Sequence, residues 1–403
     1  MLNVLFASIL TAPALLFYLG LASSMALGAS IVGIVVIAVS SIRHASGRMN
    51  AAVQSSGWAL ISVAALYGIV LHMTVVLLLG IPVALDRAIR SLIPLVIILS
   101  SGHGLARLLL SSSEADVHRA LRFTTVMLIT IGAISVFGFA PAGPRDYFKP
   151  VFPFTEPAHF ALASIPLLMY WCVRLHGKMR VLALAVGLTG ALTLQSLTFV
   201  VGCLLAALIS VRLRVLPWLL IPFTALLLQL DLSYYTERVD FSNDNSNLST
   251  LVFLQGSQLI GESWEKSGGW GLGFQQLGVH GTDVPAAELI NLLLDNDSNL
   301  LDGGFTLAKL VSEFGALGLI LVAIYLCAAW LAVVHLRRVS SSDKMTEGSA
   351  ITLARCMLVS FSIELFVRGG GYFSGTSILL TAAIVMLLAT RRRDRREFQK
   401  SCV

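Results

Sequence analysis

The chain has 403 residues, of which 56% are hydrophobic and 12% are charged, and its mean hydropathy is +0.84. This composition excludes an ordinary soluble globular protein and indicates an all-α, polytopic integral membrane protein. The net charge of +6 does not indicate a nucleic-acid partner, because the basic residues lie in short loops between apolar runs and in a basic C-terminal tail, residues 391–403.

Apolar runs long enough to cross about 30 Å of hydrocarbon recur along the whole chain. They predict a single transmembrane domain, residues 1–403, with about twelve transmembrane helices. The first run lacks the basic flank of a cleavable secretory signal, so we expect it to remain as a span. The predicted spans are residues 4–20, 23–40, 57–80, 88–110, 121–140, 158–174, 180–195, 197–211, 215–230, 306–335, 350–367 and 375–390.

Most basic loops fall on one side of the membrane when the predicted spans alternate. Arg43, Arg119, Arg174 and Arg337 belong to these loops, as does the C-terminal tail. By the positive-inside rule, this side is the cytoplasm and both termini lie there. The long polar segment of residues 231–305, between the ninth and tenth spans, is then a large external loop, in which we expect short helices.

Few arginines lie on the external side, and each is a candidate ligand for a phosphate group. Arg90 follows the third span, Arg145 follows the fifth, Arg238 begins the large loop and Arg368 follows the eleventh span. A guanidinium group suits this role because its planar fork donates two parallel hydrogen bonds to phosphate oxygens. The alternative for each of them is a solvated loop charge or a local ion pair.

The segment Thr155-Glu156-Pro157-Ala158-His159 is predicted to begin the sixth span. Pro157 suits the first turn of a helix, and Thr155 or Glu156 is a candidate for its cap. Glu156 and His159 then lie about one turn apart at the external mouth of the bundle. They can act as a general base or orient the hydroxyl groups of a substrate, and the alternative is a helix cap without a catalytic role.

Arg368 follows Glu364 by one helical turn at the end of the eleventh span, so we expect both side chains to project from the same face. Gly369, Gly370 and Gly371 allow the backbone to turn or to approach a ligand closely before Tyr372. The alternative is a structural salt bridge at the helix end.

The large loop contains further candidates. Tyr235 lies near its start, residues 268–274 form a glycine-rich irregular turn, and His280 follows that turn. The acidic residues Asp295, Asp297 and Asp302 match no cation-binding loop, so a solvated polar run is favoured over a divalent metal site.

Five short motifs occur in one order along the chain, and together they resemble those of the O-antigen polymerase (Wzy-type) family of surface-polysaccharide polymerases. The motifs are Glu156-Pro157-Ala158-His159-Phe160 at the start of a span, Arg238 in the large loop, Gly271-Leu272-Gly273-Phe274 in its middle, Asp302-Gly303-Gly304-Phe305 followed by Leu310-Val311-Ser312-Glu313-Phe314-Gly315-Ala316-Leu317-Gly318 at its exit, and Arg368-Gly369-Gly370-Gly371-Tyr372 near the end.

The resemblance implies a GT-C-like fold in a bacterial inner membrane, with the large loop and the active site facing the periplasm. The enzyme would join undecaprenyl-pyrophosphate-linked oligosaccharide repeat units. Arg238 and Arg368 would bind the pyrophosphate with help from Arg145 and Arg90, and Glu156 with His159 would act on the acceptor. Further substrate contacts are assigned to Tyr235, His280, Glu364 and Tyr372. No metal or other cofactor is predicted, and the expected partners are membrane lipid and a polysaccharide chain-length regulator.

Two other functions remain open. The related O-antigen ligases typically carry a His-Asn pair about nine residues before the glutamate of the exit motif, where this chain has Gly304 and Phe305. That difference favours a polymerase, and it leaves Glu156, His159, His280 and Asp302 as candidates for the general base. A lipid-linked sugar transporter or flippase is less consistent with the sequence, because no internal repeat is visible and the candidate residues gather on one side.

Overall fold

The chain is all-helical wherever the computed structural model describes it. The described residues are 1–46, 57–139, 141, 150–212, 214, 248–279, 284–294, 301, 303–342 and 347–401. Within these ranges there are thirteen α-helices and no β-strand. Five of the helices are long and apolar enough to cross a membrane. The prediction of an all-α, membrane-embedded protein is confirmed at this level.

The helices follow one another with short connections through most of the chain. In chain order they are α1 (Leu2–Tyr18), α2 (Met25–Ala45), α3 (Gly57–Leu78), α4 (Leu85–Ser111), α5 (Glu114–Val136), α6 (Pro157–Arg174), α7 (Gly177–Thr193), α8 (Leu197–Ser210), α9 (Leu248–Ser267), α10 (Pro285–Leu294), α11 (Thr306–Ser341), α12 (Ser349–Phe366) and α13 (Gly375–Ser401).

Helices occupy the predicted spans wherever those residues are described. Residues 88–110 form one continuous helix despite Pro94, and the tight turn at Gln195 and Ser196 separates α7 from α8. The Ser196 hydroxyl accepts a hydrogen bond from the Phe199 amide at 3.3 Å, which caps α8. The predicted span at residues 215–230 lies outside the described residues, and α9 and α10 lie within the segment predicted as a large loop.

The two ends of the bundle are held in different ways. We call the end that carries Glu156 and Arg368 the upper end, and the end that carries Glu114 and Ser349 the lower end. At the lower end the Glu114 carboxylate accepts hydrogen bonds from the Ser349 amide at 2.8 and 2.9 Å and from Arg174 at 2.9 Å. The carboxylate thereby satisfies a free amide at the start of α12, and the contact fixes α5, α6 and α12 to one another.

The helix α11 is broken at Gly315. This break was not predicted from the sequence, because residues 306–335 have the pattern of one continuous apolar span. Gly315 has φ 53° and ψ −130°, so the helical hydrogen-bond pattern stops there. The free carbonyls of Ser312 and Glu313 accept hydrogen bonds from the Leu272 and Gly273 amides at 2.9 and 2.8 Å. The Ala316 amide donates to the Gly269 carbonyl at 2.9 Å. Residues 268–274, which we call the docked segment, therefore fill the break.

The docked segment also binds α3. His72 lies with its Nε2 atom 2.9 Å from the Trp270 carbonyl oxygen, and the Phe274 amide lies 3.0 Å from the Met73 sulfur. Buried non-helical backbone needs such partners, because apolar surroundings offer none. The glycine-rich turn expected from the sequence is therefore a packed connection between α3 and the two halves of α11.

We predict that Gly315→Ala lowers the free energy of unfolding by more than about 2 kcal/mol, because this backbone conformation is almost restricted to glycine. The added Cβ would also collide with the Gly269 carbonyl and the Gly271 amide. Unfolding by SDS titration in mixed micelles measures the change. Gly261→Ala in α9 is the matched control, since a Cβ there meets no atom within 4 Å, and we expect equal or slightly greater stability. A Gly315→Ala variant as stable as this control contradicts the role of the break.

Candidate functional site

Two glycine-rich motifs that are distant in the sequence meet at the upper end. The Gly369 amide donates a hydrogen bond to the Gly304 carbonyl at 2.9 Å. A Cβ at Gly369 would lie 2.7 Å from the Thr306 backbone nitrogen, so only glycine permits this approach. The contact places the segment after α12 directly against the start of α11.

Arg368 leads into this contact and reaches across to the start of α6. Its Nε donates to Glu156 Oε1 at 3.1 Å, and its Nη2 donates to Oε1 at 2.8 Å and to Oε2 at 3.1 Å. The side chains of Arg368 and Glu156 are 21% and 29% exposed, so the pair is half-buried and still open to solvent. It has the planar, two-oxygen geometry by which arginine also holds phosphate.

The predicted arrangement of Glu364 and Arg368 is wrong. We expected both residues to share a helix face, but α12 ends at Phe366 and Arg368 lies beyond the helix. Glu364 is buried, with 1% exposure, and its Oε1 accepts hydrogen bonds from the Gly370 amide at 3.3 Å and from the Ser374 hydroxyl at 3.4 Å. The two residues therefore have separate partners.

His159 completes a chain of polar groups around Glu156. Its Nε2 lies 3.3 Å from Glu156 Oε1, and its Nδ1 lies 3.1 Å from the Thr155 hydroxyl. Pro157 occupies the first turn of α6, as the sequence predicts, and Glu156 is the N-cap residue. Of the two candidates for the cap, Glu156 therefore takes the position, although its side chain makes no capping hydrogen bond. Thr155, Glu156, His159 and Arg368 are called the Arg368 cluster below.

The Arg368 cluster borders a cavity of about 190 Å³ at the upper end. Such a volume holds one or two chemical groups of a larger ligand, because complete small-molecule pockets begin at about 300 Å³. The polar part of its wall includes His159 and Arg368, whereas a large apolar part comes from α1 and α2. The residues of α1 and α2 in the apolar part are Ile9, Leu10, Pro13, Ala14 and Met25.

A second buried polar group lies on α11 and was not assigned a role from the sequence. Lys309 is 3% exposed, and its Nζ donates to the Leu301 carbonyl at 2.9 Å and lies 5.2 Å from the centre of the Tyr372 ring. Glu313 follows one helical turn later and is fully buried. The four-residue spacing of these opposite charges in an apolar stretch was the available signal. Lys309 holds Tyr372 against α11. The Tyr372 ring also stacks on the Phe274 ring, with 6.1 Å between the ring centres.

The remaining predicted site residues are placed differently or lie outside the described ranges. Arg90 is in the early part of α4, is exposed, and forms an ion pair with Asp86 instead of lining the cavity. Tyr372 contacts Lys309 and Phe274, as described above. The residues outside the described ranges are Arg145, Tyr235, Arg238 and His280.

No metal centre is evident in the part of the chain that the structure describes. Within those ranges no three His, Cys, Asp or Glu side chains come together in an arrangement for a metal ion. The acidic residues Asp295, Asp297 and Asp302 lie outside them.

Comparison with known proteins gives no match. No protein-family model, no curated protein and no solved structure matches the chain. The chemistry of the site therefore has to be inferred from the residues and their geometry.

We predict that Arg368 and Glu156 are coupled by about 1–2 kcal/mol, between the values for exposed and fully buried pairs. A double-mutant cycle of Arg368→Gln and Glu156→Gln, measured by SDS-induced unfolding, gives this coupling free energy. The exposed pair of Arg119 and Asp116, whose side chains are 67% and 51% exposed, is the control and should give less than about 0.5 kcal/mol. Additive effects of Arg368→Gln and Glu156→Gln would show that the contact contributes nothing to stability.

Proposed function

We propose that the protein is a polymerase that joins lipid-linked oligosaccharide repeat units by glycosyl transfer at the periplasmic face of a bacterial inner membrane. In this proposal the chain has about twelve spans in a GT-C-like fold, and the upper end faces the periplasm. The observation that carries the proposal is the half-buried Arg368–Glu156 pair beside a cavity whose wall has a polar and an apolar part.

The first requirement of this reaction is a group that stabilises the departing pyrophosphate. Arg368 is suited to it, because the carboxylate of Glu156 already occupies its fork with the two-oxygen geometry of a phosphate. A pyrophosphate carries more negative charge than a carboxylate and competes for the same donors. In the proposed mechanism it displaces Glu156 from Arg368, and the guanidinium then stabilises charge that develops on the leaving group.

The second requirement is a base for the acceptor hydroxyl. Glu156, once released from Arg368, retains His159 at 3.3 Å as its neighbour, and either group can accept the proton. The Thr155 hydroxyl at Nδ1 fixes the orientation of the imidazole ring. Substrate binding thus frees the base at the moment when the donor is in place.

The third requirement is room for a lipid beside the reacting centre. The part of the cavity wall formed by Leu10, Pro13 and Met25 is apolar, and Arg368 lines the same cavity. An isoprenoid next to a pyrophosphate has the same division into an apolar and a charged part. This complementarity supports undecaprenyl pyrophosphate as the carrier of the glycan.

The geometry around Gly304 supports a polymerase over a ligase. Gly304 has φ 73°, and a Cβ there would lie 2.7 Å from the Val252 carbonyl oxygen. A histidine at this position, as in the ligases, has no room in this packing. The base must come from elsewhere, and the Arg368 cluster supplies one.

We predict that Arg368→Ala and Arg238→Ala each reduce polymerisation by at least about 100-fold, because each removes a proposed contact to the pyrophosphate. Arg368→Lys should retain little activity, since a single ammonium lacks the planar fork. The measurement is the length distribution of lipid-linked glycans in a strain that lacks the gene and carries each variant, with protein level determined in parallel.

Arg119→Ala, in an exposed ion pair at the lower end, is the matched control and should give normal long chains. Normal chain lengths in an Arg368 or Arg238 variant would remove that residue from the mechanism. The strain without the gene separates the functions, because a polymerase defect leaves single repeats, a ligase defect leaves long unligated chains, and a transport defect leaves untranslocated precursor.

A separate prediction concerns the base. We expect Glu156→Gln to lower the polymerisation rate by about 10²–10⁴-fold while the protein still binds its lipid-linked substrate. Single-turnover rates with purified protein and lipid-linked repeat units measure the step. Retention of most of the activity would exclude Glu156 as the base and leave that role to His159.

A further inference from the structure

Glu364 is a buried carboxylate that the proposed transfer reaction does not use. It lies in the last turn of α12 with 1% exposure. Among the described residues no basic side chain forms an ion pair with it, since Arg368 is engaged by Glu156. Its Oε2 atom makes no hydrogen bond of ordinary geometry to any described residue, although an ionised oxygen in such a place needs a partner.

Neutral oxygen atoms surround this carboxylate at the start of α13. The Ser374 hydroxyl lies 3.4 Å from Glu364 Oε1, 2.8 Å from the Thr376 hydroxyl and 2.9 Å from the Ser377 hydroxyl. The Ser377 hydroxyl lies 3.5 Å from the Gly371 carbonyl oxygen. These five residues are called the Glu364 cluster, and they offer one charged and several neutral oxygens within a small space.

The backbone around the cluster is irregular. The cluster lies between the last turn of α12, which carries Glu364, and the N-terminus of α13. It also lies beside the unwound chain after α12. In membrane proteins, unwound carbonyls and helix C-terminal ends next to such breaks coordinate Na⁺.

We propose that the Glu364 cluster is a binding site for a single Na⁺ ion. One carboxylate balances one positive charge, whereas divalent cations are usually held by several carboxylates or retain many waters. Hard cations take oxygen ligands, and every side chain in the cluster offers only oxygen.

The cavity described above provides a route for the ion. Gly370, Ser374 and Thr376 line it together with Arg368. A bound ion would connect the end of α12, the glycine-rich segment and the start of α13, and would hold Arg368 in its position. The proposal concerns ion binding and does not require that the protein transfers sugars.

The test is the thermal unfolding midpoint of the purified full-length protein in detergent at constant ionic strength. We expect the midpoint to rise by at least about 2 °C as NaCl replaces choline chloride, and to saturate, because Na⁺ binds only the folded state. KCl should give a clearly smaller rise. Equal midpoints in all three salts, or an equal rise with KCl, would overturn the Na⁺ site and point to a protonated carboxyl group.

Variants locate the effect. Glu364→Gln and Ser374→Ala should abolish the Na⁺-dependent rise, whereas Ser360→Ala should keep it, since the Ser360 hydroxyl donates to the Met357 carbonyl within the same helix. If Glu364→Gln fails to fold, Ser377→Ala and the wild-type salt series decide the question. A full Na⁺ response in both Glu364→Gln and Ser374→Ala would overturn the assignment to this cluster.

Discussion

Backbone polar groups that are buried away from water must find partners within the protein, and the upper end satisfies this constraint. The break at Gly315 exposes the carbonyls of Ser312 and Glu313, and the docked segment satisfies both. In the same way the Gly304 carbonyl accepts a hydrogen bond from the Gly369 amide. Two pairs of irregular segments thus satisfy each other, and the glycines in them allow the close approach that side chains would prevent.

This backbone framework explains why the polar side chains of the upper end can remain partly open. Arg368 directly precedes Gly369, whose amide is hydrogen-bonded to the Gly304 carbonyl. This contact fixes the backbone at Arg368, so the guanidinium group is held in place without full burial. At the lower end the corresponding charges serve a different purpose, because Glu114 caps α12 and Arg174 binds it with only 6% of its side chain exposed. The charges at the lower end hold helices together, whereas the charges at the upper end border a cavity and remain partly exposed to solvent.

The sequence predicted the features that depend on local patterns. Hydropathy located the helices, Pro157 marked the start of α6, and the three-residue spacing placed His159 beside Glu156. The pairing of Arg368 with Glu156 was not predictable, because it joins residues 212 positions apart and depends on how the helices pack. The predicted geometry of Glu364 and Arg368 was wrong because it continued the helix to Arg368, whereas α12 ends at Phe366. The break at Gly315 leaves the apolar pattern unchanged, so hydropathy does not detect it.

The separation of these partners along the chain has a consequence for biosynthesis. The docked segment emerges from the ribosome about forty residues before the break in α11 that satisfies it, and Glu156 emerges 212 residues before Arg368. Because chains fold progressively from the N-terminus during synthesis, the early helices can insert while these groups are still unmatched. The upper end is therefore assembled only when the last helices arrive, and a truncated chain that lacks residues 368–403 would insert most of its helices without the contact between Arg368 and Glu156.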